Sequence, residues 1–319
     1  MKTLDRLKML VEMKGGFVNA HAHFDRAYTA QTHDFESNNV NAHLFEKWEL
    51  VNKFKSEATV QRYFYHISEA IHNQVKMGVT AGLSFIDCDH ISEDRALKAA
   101  LKAKEVWKDR YDLKIACQTL QGVIEEEPRS WFERYSEFYD IIGGLPRKDE
   151  GREAEHIDIL MQTAKRNNQR LHVHVDQLNS PMEKETELLA RKTIEHGLEG
   201  RVTAVHSISL AAHPKKYREE VYKMSLDAGL SFVSCPTAWI DHRRNEDLTV
   251  THNAITPIDE MVPRGITVAI GSDNICDVYK PFSDGDMMTE LRFLLEATHF
   301  YDIESLAKIA SENGRAIIS

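Results

Sequence analysis

Four apolar runs in this chain each stop on a histidine or an aspartate, and that recurrence constrains the fold more than any other feature. Residues 16–26 (GFVNAHAHFDR) end in His21 and His23, one residue apart. In a strand side chains alternate faces, so the two imidazoles point the same way, spaced to grip one metal. An isolated His-x-His is usually a pair of surface histidines at a strand end. Here the pattern returns in residues 170–177 (RLHVHVDQ), in 202–206 (VTAVH) and in 266–273 (ITVAIGSD), so His174, His206 and Asp273 also stand where a buried strand gives out.

Strand-like and helix-like segments alternate along the rest of the chain. Leu4, Leu7, Leu10 and Val11 mark an amphipathic N-terminal helix, unlike a secretory leader. Residues 24–56, rich in aromatics and asparagine, read as an elaborated loop and a candidate lid. Further strands are expected at 79–87, 113–120, 140–145 and 230–236, with helices at 57–77, 92–110 (capped by Ser92), 128–139, 154–167, 182–196 and 215–228. Gly143 and Gly144 in the fourth strand predict a close approach of substrate or metal to the backbone. Eight strands of nearly continuous apolar character, each followed by a helix, predict a parallel sheet covered all round and closed into a (β/α)8 TIM barrel. In such barrels the chemistry gathers at the C-terminal strand ends, where these histidines and the aspartate lie.

Composition narrows the partners. With 319 residues and 42% hydrophobic content, the chain suffices for one large barrel over residues 1–319, and no linker divides it. A net charge of -10 argues against nucleic acid, and basic clusters such as 215–218 are followed at once by acids. No apolar run crosses a bilayer. Four scattered cysteines, Cys88, Cys117, Cys235 and Cys276, read as reduced thiols of a cytoplasmic enzyme acting on a small molecule.

The set of His-x-His on strand one, histidines on strands five and six and aspartate on strand eight resembles the amidohydrolase superfamily. The nearer likeness is its cytosine deaminase branch with the related N-isopropylammelide (triazine) amidohydrolases, carried by 174–177 (HVDQ), 201–206 (RVTAVH) and 271–274 (GSDN). The resemblance implies that His21, His23, His174 and Asp273 bind one divalent ion, Zn2+ or Fe2+, while His206 assists catalysis. Physical chemistry agrees: three neutral imidazoles and one carboxylate leave a position for water, whose pKa the metal brings to about 7. Asp273 can accept that water's proton, and His206 can hydrogen-bond the attacking oxygen. His172 lies deeper on the same face and reads as a satisfied core histidine or a support for the ligands. Where dinuclear relatives carry a bridging lysine at the end of strand four, Gly143, Gly144 and Leu145 favour one metal.

Departures from the branch redirect the substrate. Gln177 stands where cytosine deaminase-like enzymes place a proton-shuttling glutamate, and an amide orients without giving a proton. Asn274 replaces a frequent second aspartate. The glutamine that reads the pyrimidine aligns with Leu120, with Gln121 one place along, so cytosine itself is disfavoured. Arg26 replaces a lysine and suits a carboxylate or carbonyl, unless it forms an ordinary surface pair with Asp25. Gln121, Trp239, Asp241 and His242, on strand-end loops, are further pocket candidates. The flanking β-sandwich of many superfamily members is not expected in these residues, as in a bare barrel or a truncated chain, and the exposed terminal surface favours a homo-oligomer. The reading is a mononuclear hydrolase cleaving a C–N bond of a small cyclic or heteroaromatic substrate with metal-bound hydroxide. The alternatives are a lactone or ester hydrolase on the same centre and a catalytically silent metal-binding barrel. The His-x-Glu and Pro-Cys-x-x-Cys signature of the zinc nucleic-acid deaminases is absent.

Overall fold

Eight parallel strands pair in sequence order in the computed structural model, which describes residues 2–238 and 254–319. They are β1 (Phe17–Ala22), β2 (Val79–Asp87), β3 (Asp112–Gln118), β4 (Ile141–Gly144), β5 (Arg170–Val175), β6 (Val202–His206), β7 (Ser231–Ser234) and β8 (Val268–Ile270). A parallel bridge between Ala22 and Asp273 brings β8 back to β1 and closes the expected (β/α)8 barrel. Val18, Ala20, Leu83, Phe85, Val205 and Val233 pack in the interior, while Ile86, Leu113, Val173 and Phe232 face the outer helices. Both faces of each strand are therefore buried, which is why the strands read as unbroken apolar runs. The helix Glu312–Ile318 plugs the end opposite the site. Its Ile317 carbonyl lies 3.1 Å from Nε2 of buried His172, and Asn313 donates to the Val268 carbonyl.

The structure corrects three expectations. Residues 24–56 are not chiefly loop, because Thr32–Glu36 and Leu44–Glu57 are helical. The longer helix starts in a capping box between His43 and Glu46, and buries Leu44, Trp48, Val51 and Lys55 at helical spacing. A lysine at the fourth stripe position hid the pattern from the sequence. The strand-four glycines make room for protein and not for a ligand: a Cβ on Gly143 would stand 1.9 Å from the Cys117 carbonyl and 2.5 Å from the Phe85 ring. Ser92 does not cap the following helix, whose N-cap residue is Asp94; its hydroxyl bonds Asp89 instead. Among the described residues no helix is long and apolar enough to cross a membrane.

Candidate metal centre

Strict alternation along β1 would leave His21 and His23 facing the helices, because Val18 and Ala20 already point inward. The strand escapes this by carrying one extra residue against β2: Asn19 pairs with Gly82, but Ala22 pairs with Ser84. This bulge turns both imidazoles into the barrel. On β6, Val205 faces inward, and a left-handed backbone at His206 (φ 74°) and Ser207 (φ 51°) swings the next side chain back to the mouth. Such a conformation at a non-glycine residue is strained and persists only where neighbours over-determine it. Thr256 donates to the His206 carbonyl, and the Ser207 amide to that of Val175.

The result is a buried convergence of residues far apart in sequence. The His21 ring centroid lies 5.0 Å from that of His23, 4.7 Å from His174 and 5.2 Å from His206. Asp273 Oδ1 stands 3.4 Å from Nε2 of His21 and 3.2 Å from Nε2 of His23. Donor atoms of His21, His174 and His206, and likewise of His21, His23 and Asp273, lie within 4.8 Å of one another. His174 donates Nδ1–H to the Gly144 carbonyl at 2.9 Å, which fixes its tautomer and leaves Nε2 as a lone pair. That Nε2 and both ring nitrogens of His21 are buried with no hydrogen-bond partner among the described residues. Buried polar atoms are seldom left so, and these suit a divalent cation held by nitrogen and carboxylate oxygen.

Electrostatics keep the donors in the required state. Burial, then the Arg26 charge, holds His23 well below the usual imidazole range; burial and the neighbouring imidazoles do the same to His174. Burial brings His206 down to about 3 against the opposing pull of Asp273. Burial alone would raise Asp273, but His21 and His23 outweigh it and leave the carboxyl well below its ordinary value. Neutral imidazoles and an ionised carboxylate are what a metal needs.

The pocket beside this cluster, about 330 Å³ of empty space, is lined by Arg26, Trp48, Gln118, Gln177, Asn274 and Tyr279 among others. Arg26 is no surface residue: it is 5% exposed and Asp25 1%, with Nη1 4.0 Å from Asp25 and Nε 3.7 Å from Asp277. Neither nitrogen makes a hydrogen bond among the described residues. Asp25 instead accepts the Asp87 amide, and burial followed by the Asp87 charge pushes its carboxyl up to about 7. Asn274 spends its amide on Asp277 at 2.5 Å. Gln121 points away and donates to Asn52. The β3 glutamine in the pocket is Gln118, which sequence reasoning missed; its position as the last residue of that strand was the available signal. Trp239, Asp241 and His242 lie outside the described residues.

Comparisons with known proteins extend this geometry. Residues 68–312 match the amidohydrolase family. The chain is 49% identical over 253 residues to an uncharacterized protein of Haemophilus influenzae, spanning 78% of this chain and 91% of that one. It is 27% identical over 279 residues to the N-isopropylammelide isopropyl amidohydrolase of Pseudomonas sp. (strain ADP), covering 86% of this chain and 66% of that relative. The fold superposes on 5-methylcytosine deaminase of Klebsiella pneumoniae with a TM-score of 0.85 at 23% identity, over 95% of this chain and 74% of that one. With its barrel, its clustered strand-end histidines and aspartate and a family match over most of its length, the chain belongs to the amidohydrolase family, hydrolases that act on C–N bonds.

Proposed function

We propose that this protein is a mononuclear metal-dependent amidohydrolase or deaminase that hydrolyses a C–N bond in a small cyclic or heteroaromatic substrate. The observation that carries the reading is the convergence of unpartnered nitrogens of His21 and His174 with His23 and Asp273 at the barrel mouth. These four residues would hold one divalent ion, zinc or ferrous iron. Such an ion supplies Lewis acidity and lowers the pKa of water towards neutrality.

The remaining work falls to the side chains. Asp273, kept ionised, takes the proton of the attacking water and returns it to the leaving nitrogen. His206, neutral and buried, hydrogen-bonds the oxygen on which charge develops. Gln177 orients the substrate by donating and accepting, without shuttling a proton. Gln118, whose Oε1 is buried and unpartnered, offers an acceptor for a ring N–H. Arg26 donates to an oxygen substituent, and Asp25 and Asn274 hold that corner through Asp87 and Asp277. Relatives named for N-isopropylammelide and pterin substrates support a nitrogen heterocycle.

Ammonia or amine release from a panel of aminopyrimidines, aminotriazines, pterins, lactams and lactones, with zinc- or iron-loaded protein and an Asp273→Asn control, tests the reading. Turnover of a nitrogen heterocycle that vanishes in the control supports it. Turnover confined to lactones moves the reaction to C–O bonds, a second reading favoured by the amide at position 177. Turnover that survives Asp273→Asn overturns the mechanism.

A further inference from the structure

Gln177 sits between two residues whose backbone amides are each captured by a buried glutamate. The Asp176 amide donates to Oε2 of Glu185 at 3.0 Å, and the Leu178 amide donates to Oε2 of Glu183 at 2.7 Å. Asp176 returns the contact: Oδ1 accepts the Glu185 amide at 2.8 Å and Oδ2 the Thr186 amide at 3.2 Å. Glu183 and Glu185 are 3% and 5% exposed. The backbone so held is strained, with Asp176 at φ 55° and Asn179 at φ 54°, a conformation that needs external support in non-glycine residues.

Neighbouring loops complete the clamp. Arg147, beyond β4, lies 3.4 Å from both glutamates, through Nη2 to Glu183 and Nε to Glu185. Ser209, beyond β6, donates its hydroxyl to Glu183 and its amide to the Asp176 carbonyl. Burying two carboxylates beside Asp176 is costly even with one arginine to offset it. A loop that needed only to be closed could be closed with apolar side chains.

We propose that Glu183 and Glu185 are positioning residues, which act on the reaction through Gln177 by fixing the backbone on either side of it. This rests on the pocket role given to Gln177 above. The acceptor oxygen is the active feature, so Glu183→Gln retains function and Glu183→Leu loses it.

Two measurements on the metal-loaded full-length protein test the proposal. In peptide-resolved hydrogen–deuterium exchange, residues 174–180 should exchange at least tenfold faster in Glu183→Leu than in wild type, with Glu183→Gln near wild type; unchanged exchange in Glu183→Leu overturns the clamp. In the ammonia-release assay, Glu183→Leu should lower kcat/KM on the order of tenfold to a hundredfold, and add nothing further in a Gln177→Ala background. Additive losses in that double-mutant cycle mean a merely structural role and overturn the proposal. If Glu183→Leu does not fold, Ser209→Ala, which removes one hydrogen bond to Glu183, takes its place with the same two expectations. Wild-type turnover in Gln177→Ala would instead sink the pocket role of Gln177, and the positioning role with it, while leaving the exchange result standing.

Discussion

The backbone amide of Asp273 donates to the carbonyl of His21 at 3.0 Å, so one hydrogen bond both closes the barrel and sets two of the proposed ligand residues side by side. Closure and the geometry of the candidate metal centre are therefore one structural event, and what disturbs the β1–β8 seam should weaken binding of the proposed ion.

Gly271 makes that seam possible. A Cβ there would stand 2.7 Å from the His21 carbonyl oxygen and 2.9 Å from its amide nitrogen. Gly271→Ala is expected to cost about 1–3 kcal/mol, as overpacking does. Metal content, measured by elemental analysis after dialysis, should fall in the same variant; an alanine protein with full occupancy would contradict the coupling.

Removal of the proposed ion should cost stability, because the buried Nε2 of His174 is then left without a partner among the described residues. A ligand present at a thousand times its Kd stabilises by about 4 kcal/mol. Chelation is therefore expected to lower Tm by several degrees and added zinc or iron to restore it, with no response in His174→Ala.

The pH dependence follows from His172, which burial brings down to about 3. Below about pH 6.5 the unfolded chain takes up a proton at this ring and the folded chain does not. The contribution is complete above 6.5 and is lost as pH falls towards 3, on the order of 2 kcal/mol by pH 5. Urea unfolding of metal-free protein at pH 7.5 and 5.0 should show a smaller difference in His172→Gln than in wild type.

Lys55 is fully buried, 3.4 Å from Asp87 and in closer contact with Asp89, and it fastens the helix that brings Leu44 and Trp48 over the pocket. Removing one member of a buried ion pair costs about 3–5 kcal/mol. Lys55→Met should destabilise by that order in urea titrations, and Asp89→Asn added to it should recover part of the loss.

Two neighbouring glutamines should separate cleanly in steady-state kinetics. Gln118 lines the pocket with an Oε1 that has no hydrogen-bond partner among the described residues, and Gln121 is engaged with Asn52. Gln118→Ala is expected to raise KM by roughly five- to thirtyfold, the equivalent of a lost hydrogen bond of about 1–2 kcal/mol. Gln121→Ala should leave it unchanged.

The sequence alone carried the barrel and the strand ends that bear the clustered histidines and aspartate, because continuous apolar runs broken by single polar termini are the direct imprint of a parallel sheet buried on both faces. His21, His23, His174, His206 and Asp273 could be picked out from that punctuation before their distances were known. Which way the side chains face was decided by tertiary structure. The extra residue in β1 and the left-handed turn at His206 both override alternation, and each depends on what the neighbouring strand offers rather than on local propensity. The same holds for the helix that carries Lys55, whose buried charge makes sense only opposite Asp87 and Asp89, and for Gly143, which yields to the Cys117 carbonyl. Periodicity records burial residue by residue; pairing between distant segments leaves no comparable trace in the order of the letters.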